Sequence, residues 1–342
     1  MSVARSKASA RSKAPARPEA PPRPTASARS KTSAAALLAA LLLVLLAAAG
    51  CTGGDGSGPE SRSSSPSGTG ADAKVLAVKI DNVAPARPQT GLERADIVYV
   101  EQVEAGLSRL LAVYSSDVPP VIGPVRSARE TDLELLRQFD RPVLAFSGAQ
   151  SRLLPAIDQA PLDAVPPSAA PRAYFRGAER PAPHNLYLRP ERIPYTASGT
   201  EAVEALGLRF GPAPPGGSAE DSRTVRFPSA RTTFTWSAER ERWLVAMDGS
   251  PARTSEGEPL GAATVIVQDV TVRPSAFGDR SGNNTPFTET VGSGTAHVLR
   301  DGKAYEARWT RTAADADTRF STPDGERIDL AEGPLWIVYA AR

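Results

Sequence analysis

The chain has 342 residues, 41% of them hydrophobic, with 40 basic and 38 acidic side chains and a formal net charge of +2. Eight of the basic residues and one acid, Glu19, fall within residues 1–33, so the remainder carries 32 basic against 37 acidic side chains. That length accommodates two domains with cores of their own, and a mildly acidic body disfavours nucleic-acid binding, which needs a concentrated positive face.

An apolar run, AAALLAALLLVLLAAAG, follows from Ala34 to Gly50 and ends at Cys51, the chain's single cysteine. A basic flank, an apolar core and small residues before a cleavage point describe a secretory signal. A cysteine directly after Ala-Ala-Gly resembles the lipobox of bacterial lipoproteins, which implies lipidation at Cys51; Ala48 stands where leucine is commoner. An uncleaved membrane anchor is the alternative. Both readings put the body on the extracytoplasmic face, because the positive residues precede the span. One cysteine permits no intrachain disulfide. Residues 51–73, rich in Gly, Ser and Pro, read as a polar tether.

Residues 74–210 read as a mixed α/β domain. Val75–Asp81, Asp96–Gln102, Arg109–Ser115 and Val143–Ser147 have the short, β-branched and aromatic composition of strands. Ala128–Phe139 and Thr200–Leu208 carry helical patterns, with Leu133, Leu136 and Phe139 on one face. The Pro/Gly-rich stretch 211–222 is a linker. Residues 223–342 read as a mostly β domain, with strands at Arg231–Trp236, Trp243–Met247, Thr264–Val272, Thr295–Leu299 and Lys303–Arg311, and a last core strand in LWIVYA. Arg-Asp-Gly at 300–302 and Pro-Asp-Gly at 323–325 mark turns. The expected class is therefore α+β, a mixed α/β part followed by a β-rich part.

The segment GPVRSARE, Gly123–Glu130, carries the densest chemical signal. Ser127 stands three residues before Glu130, the spacing of a capping box. Arg126 and Arg129 would then flank a helix start, where a dipole favours anions. Two readings stand side by side: solvated or acid-paired arginines, and an anion site in which guanidiniums and free N–H groups converge. Arg109, opening a strand, and Arg87, in a turn, are candidate assistants. Asp81, Asp96 and Glu104 near strand ends could hold Mg²⁺ beside a phosphate, although salt-bridged surface strands look the same. His184 and Asn185, in PAPHNLYL, are read as orienting a loop. His184 and His297 are the only histidines, so a histidine-rich zinc site is excluded; no Walker A loop or G-x-S-x-G elbow is present. No catalytic residue is assigned and no cofactor is required by the pattern.

The segments ARPQTGLERADIVYVEQVEAGLSRLLAVY, IGPVRSARE and APHNLYL resemble the YerB-type family of bacterial lipoproteins, domain of unknown function 3048. GSGTAHVLRDGKAYEARW and EGPLWIVYA look like that family's second domain. Arg109, Arg126, Ser127, Arg129, Asp96, His184 and Asn185 match the family pattern, whereas Val100 and Ala105 depart from it. A strand, turn, strand and Arg-bearing loop also look like the LytR-CpsA-Psr phosphotransferases, which use arginines and a metal-binding aspartate on polyprenyl pyrophosphates; that is an analogy of fold only.

These readings lead to an expectation of a lipid-anchored, two-domain envelope protein that binds an anionic ligand, such as a polyprenyl phosphate or an anionic glycopolymer, without catalysis. A Mg²⁺-dependent phosphoryl or glycopolymer transferase is the enzyme alternative, and an envelope protein-interaction scaffold is the third.

Overall fold

The computed structural model describes residues 75–193, 195, 202–278 and 284–342. Cys51 and the segments read as a leader and a tether lie outside these residues. In chain order the first half forms β1 (Leu76–Ile80), β2 (Ile97–Gln102), β3 (Ser108–Tyr114), α1 (Glu130–Leu135), β4 (Val143–Ala145), α2 (Leu154–Gln159), β5 (Asp163–Ala164), β6 (Tyr174–Arg176), β7 (Leu186–Leu188) and α3 (Ala202–Ala205). The second half forms β8 (Ser218–Ala219), β9 (Ser222–Arg226), β10 (Arg231–Ser237), β11 (Arg242–Met247), β12 (Ser250–Pro251), β13 (Gly261–Ala262) and β14 (Thr264–Val270). It ends with β15 (Val272–Gly278), β16 (Asn284–Thr288), β17 (Gly292–Arg300), β18 (Lys303–Arg311), β19 (Arg319–Ser321) and β20 (Leu335–Ala341).

The described chain is mostly strand with few helices, and each α-helix has only four to six residues. The mixed α/β character expected of the first half is correspondingly thin. The strands of both halves enter one sheet, in the order β19-β18-β17-β14-β20-β2-β3-β1-β4-β5, with β8 added beside β18. The last strand, β20, is inserted between β14 and β2 and runs parallel to both.

Side-chain alternation explains why β20 reads as a continuous apolar run. Trp336 and Val338 enter a core shared with Phe234, Trp243, Val245 and Met247 of the smaller β9–β13 sheet. Leu335, Ile337 and Tyr339 enter a core on the other face, shared with Leu135 of α1, Ile157 of α2 and Val203 of α3. A strand buried on both faces has no polar side to show. The architecture is a central sheet between a second sheet and a layer of short helices.

Both turn signals mark turns of the fold. Asp301 and Gly302 have φ of 53° and 71° between β17 and β18, the left-handed pair that a tight hairpin needs. The Pro323-Asp324-Gly325 turn is closed by a bridge between Ser321 and Arg327.

The helix start differs from the expected capping box. The N-cap is Arg129 and the N3 residue is Asp132, whose Oδ2 accepts the Arg129 backbone N–H at 2.6 Å. Ser127 and Glu130 do not form the box. The reason lies upstream, where the chain is still bonded in extended form: Arg126 N–H donates to the Lys79 carbonyl at 2.7 Å and Ala128 N–H to the Gly148 carbonyl at 3.0 Å. With Ser147 N–H also donating to the Arg126 carbonyl at 2.9 Å, this segment is tied on both sides as extended chain, and α1 starts two residues later than the expected box.

Candidate functional site

One end of the central sheet gathers the charged residues. Ile80 pairs with Leu110, Glu101 with Arg109 and Gln102 with Ser108, so the ends of β1 and β2 and the start of β3 coincide. Segment 123–126 lies against the same end through the Ile80–Val125 bridge and the bond from Asp81 N–H to the Pro124 carbonyl, 2.9 Å. Backbone pairing thus brings Asp81, Glu101, Glu104, Arg109, Arg126 and Arg129 to one place.

Asp81 is 1% exposed and engages two cationic or ionisable partners through a single oxygen. Its Oδ2 lies 3.0 Å from Arg126 Nε and 2.8 Å from His184 Nδ1. His184 comes from the loop before β7, 103 residues away in sequence. Asn185 stabilises that loop, donating to the Gly177 carbonyl at 2.8 Å and accepting from Arg176 Nη1 at 2.8 Å.

Arg129 Nη2 meets Glu104 Oε2 at 2.7 Å, and its Nη1 donates to the carbonyls of Ser127 and Ala128 at 3.1 and 2.9 Å. Thr285 of β16 donates to the other Glu104 oxygen at 2.9 Å. Burial alone would raise the Glu104 carboxyl, but the hydrogen bond and charge of Arg129, helped by Thr285, hold it below the usual range.

Lys79 is fully buried on β1, 2.8 Å from Asp132 Oδ1 and in contact with Glu101 Oε1. Burial lowers its ammonium pKa to about 8, against the opposing pull of Asp132. Neither Lys79 nor Asp132 stood out in the sequence. The available signal was a lysine inside the apolar run of VLAVKID, where a strand of this kind would not otherwise carry a charge.

Arg109 differs from Arg126 and Arg129 in forming no ion pair with a carboxylate among the described residues. Its Nη1, like Nε of both neighbours, is buried without a hydrogen-bond partner. Burial first, then the charges of Arg129 and Arg126, lower its guanidinium pKa to about 10, while Asp81 and Glu104 oppose this with smaller effects. The nearby carboxylates are committed elsewhere: Asp81 to Arg126 and His184, Glu104 to Arg129 and Thr285, Glu101 and Asp132 to Lys79. Arg109 therefore sits in a desolvated position dominated by like charge, which an incoming anion would relieve.

Other sequence candidates fall elsewhere. Asp96 precedes β2 at the opposite end of the sheet, where it accepts from Ser115 N–H at 2.6 Å, Ser115 Oγ at 3.1 Å and the Ser116 hydroxyl. It cannot share a metal with Asp81 or Glu104, because the length of the strands separates them. Among the described residues no group of three or more His, Cys, Asp or Glu side chains could hold a metal ion. Arg87 reaches toward the second sheet, contacting Asp248 Oδ2 at 2.7 Å and the Met247 carbonyl at 3.1 Å. It touches the site only through Asn82, which bonds Ser108 at 3.0 Å. Ser127 contributes its carbonyl to Arg129 rather than a capping hydroxyl. An open cleft of about 990 Å³, lined in part by Glu204, Arg209, Asp317, Arg319 and Arg327, contains none of these residues.

Comparison with known proteins matches two family models. Residues 63–203 match "Protein of unknown function (DUF3048) N-terminal domain" and residues 223–337 match "Protein of unknown function (DUF3048) C-terminal domain". The chain is 34% identical over 277 residues to "Putative lipoprotein YerB" of Bacillus subtilis (strain 168), covering 77% of this chain and 80% of that protein. The crystal structure of the YerB protein from Bacillus subtilis superposes with a TM-score of 0.63 at 21% identity, covering 78% of this chain and 90% of that one. At that identity the superposition speaks for the fold.

Proposed function

The chain belongs to the DUF3048 family, and from that premise we propose that it is a lipid-anchored extracytoplasmic protein that binds an anionic, phosphate-bearing ligand of the cell envelope through Arg109, Arg126 and Arg129. The anchor is supported by the basic flank, apolar run and Cys51 of the leader, and by the description of its Bacillus relative as a lipoprotein. The single observation that carries the site is the buried, unpartnered Arg109 Nη1 beside two further guanidiniums.

Arginine suits this task because its planar fork matches the oxygens of phosphate, and charge-assisted bonds are the strong ones. Arg126 and Arg129 are 24% and 14% exposed at their side chains, so both can turn part of their donor set toward a ligand. Polyprenyl phosphates and phosphate-rich glycopolymers are the envelope molecules of this chemistry to try first.

The test titrates the detergent-solubilised full chain with inorganic phosphate and with vesicles carrying a polyprenyl phosphate. Wild type is compared with an Arg126→Ala, Arg129→Ala double variant and with Arg109→Met. Loss of binding in both variants is expected; equal binding by all three proteins at matched thermal stability overturns the reading.

A further inference from the structure

The buried Asp81 carboxylate joins His184 to the arginine cluster. Oδ2 takes His184 Nδ1 at 2.8 Å and Arg126 Nε at 3.0 Å, so the imidazole and that guanidinium meet on one oxygen. Oδ1 is buried without a hydrogen-bond partner, which directs the carboxylate's interactions to these two groups. A ring nitrogen bonded to a carboxylate is the one that carries the proton, which leaves the Nε2 lone pair free in the neutral ring. The His184 side chain is 20% exposed, compared with 1% for Asp81. A partly exposed histidine whose tautomer is fixed by a buried carboxylate, and which shares that carboxylate with a guanidinium suited to a phosphate, is more than anion binding requires.

We infer that His184 is the proton-transfer residue for hydrolysis of a phosphoester held by Arg109 and Arg126, with Asp81 as its positioning partner. This rests on the anion-site reading and adds a reaction to it. Water is the co-reactant. Its oxygen forms the new bond to phosphorus while its proton passes to His184 Nε2, and the bond from phosphorus to the ester oxygen breaks. The leaving alcohol takes up that proton from His184 Nε2, which returns the ring to its neutral form. The arginines stabilise the charge spread over the non-bridging oxygens. Asp81 holds the tautomer and balances the imidazolium that forms.

The test uses the detergent-solubilised full chain with bis(p-nitrophenyl) phosphate and p-nitrophenyl phosphate as probes, alongside calorimetric titration with inorganic phosphate. Wild type is expected to turn over at least one probe. His184→Ala should lower kcat about 100-fold or more, the scale of general-base catalysis, with KM little changed. Added imidazole should restore part of that loss, which a merely structural histidine would not allow. His184→Asn keeps an N–H for Asp81 but has no second ring nitrogen, so it should fold and still be inactive. Asp81→Asn should lower kcat without abolishing phosphate binding. Phosphate binding without turnover by wild type, or undiminished turnover in both His184 variants, overturns this inference alone. Failure of wild type both to bind phosphate and to turn over either probe overturns the anion site and, with it, the reaction.

Discussion

Arg129 Nη2 lies 2.7 Å from Glu104 Oε2, and each side chain is only 14% exposed. The pair joins the helix start to the loop between β2 and β3, and Thr285 of β16 holds the second Glu104 oxygen. Glu104 thus occupies, within the protein, the kind of position on Arg129 that a ligand's oxygen would take.

Replacing Glu104 with Gln keeps the shape and the Thr285 contact but removes the competing charge. Affinity for inorganic phosphate is expected to rise about tenfold, equivalent to roughly 1.4 kcal/mol. Calorimetric titration at fixed salt checks it, and weaker binding in Glu104→Gln contradicts the competition.

Arg109 pays for burial without a protein counterion, so removing its charge should relieve the fold while harming the site. Arg109→Met is expected to raise stability by about 1 kcal/mol, in line with apolar replacement of buried charge, and to abolish phosphate binding. Urea denaturation with parallel titration measures both. A large destabilisation would mean that the guanidinium has a partner after all.

The Lys79 ammonium has a pKa of about 8 in the folded protein, compared with an ordinary value of 10.5. Between those values the unfolded chain binds more protons, so this group's contribution makes stability rise with pH from about 8 to 10.5. The stability of wild type relative to Lys79→Met should therefore increase across that window. Below it, Lys79→Met leaves Glu101 and Asp132 together without their cation and is expected to cost about 3–5 kcal/mol. Denaturant midpoints at several pH values test both statements.

Gly302 has a φ of 71°, and a Cβ placed there would lie 2.8 Å from Trp236 Nε1. Gly302→Ala is expected to destabilise the protein by about 1–3 kcal/mol and to shift tryptophan fluorescence. An unchanged melting temperature would contradict the close approach.

Cys51→Ser should move the protein from the detergent phase to the aqueous phase after leader cleavage, if lipid is the anchor. Retention in the membrane fraction would favour an uncleaved span.

Local chemistry made half of the described strands legible. Val75–Asp81, Asp96–Gln102 and Lys303–Arg311 announce themselves through β-branched composition and bounding turns, and Asp-Gly marks its hairpin because few residues tolerate the required φ. The start of α1 was not legible. Ser127 and Glu130 have capping-box spacing, but hydrogen bonds from Arg126 to Lys79 and from Ala128 to Gly148 keep that stretch extended. Those partners are tens of residues away or on another strand, and a local pattern has no access to them.

By itself the sequence carried the basic flank, the apolar run ending at Cys51, the Gly/Ser/Pro-rich stretch after it, the longer core strands and the concentration of arginines in 123–130. Each depends on neighbouring residues: hydropathy, turn chemistry and charge spacing. Only the tertiary structure decided which charges meet. Sheet order carried Asp96 to the far end of β2, turned Arg87 toward the second sheet, and brought His184 onto Asp81 across 103 residues. It also left Arg109 buried with an unpartnered donor. Burial and partner choice are set by long-range strand pairing, and the free energy of a buried charge depends on that environment more than on residue type.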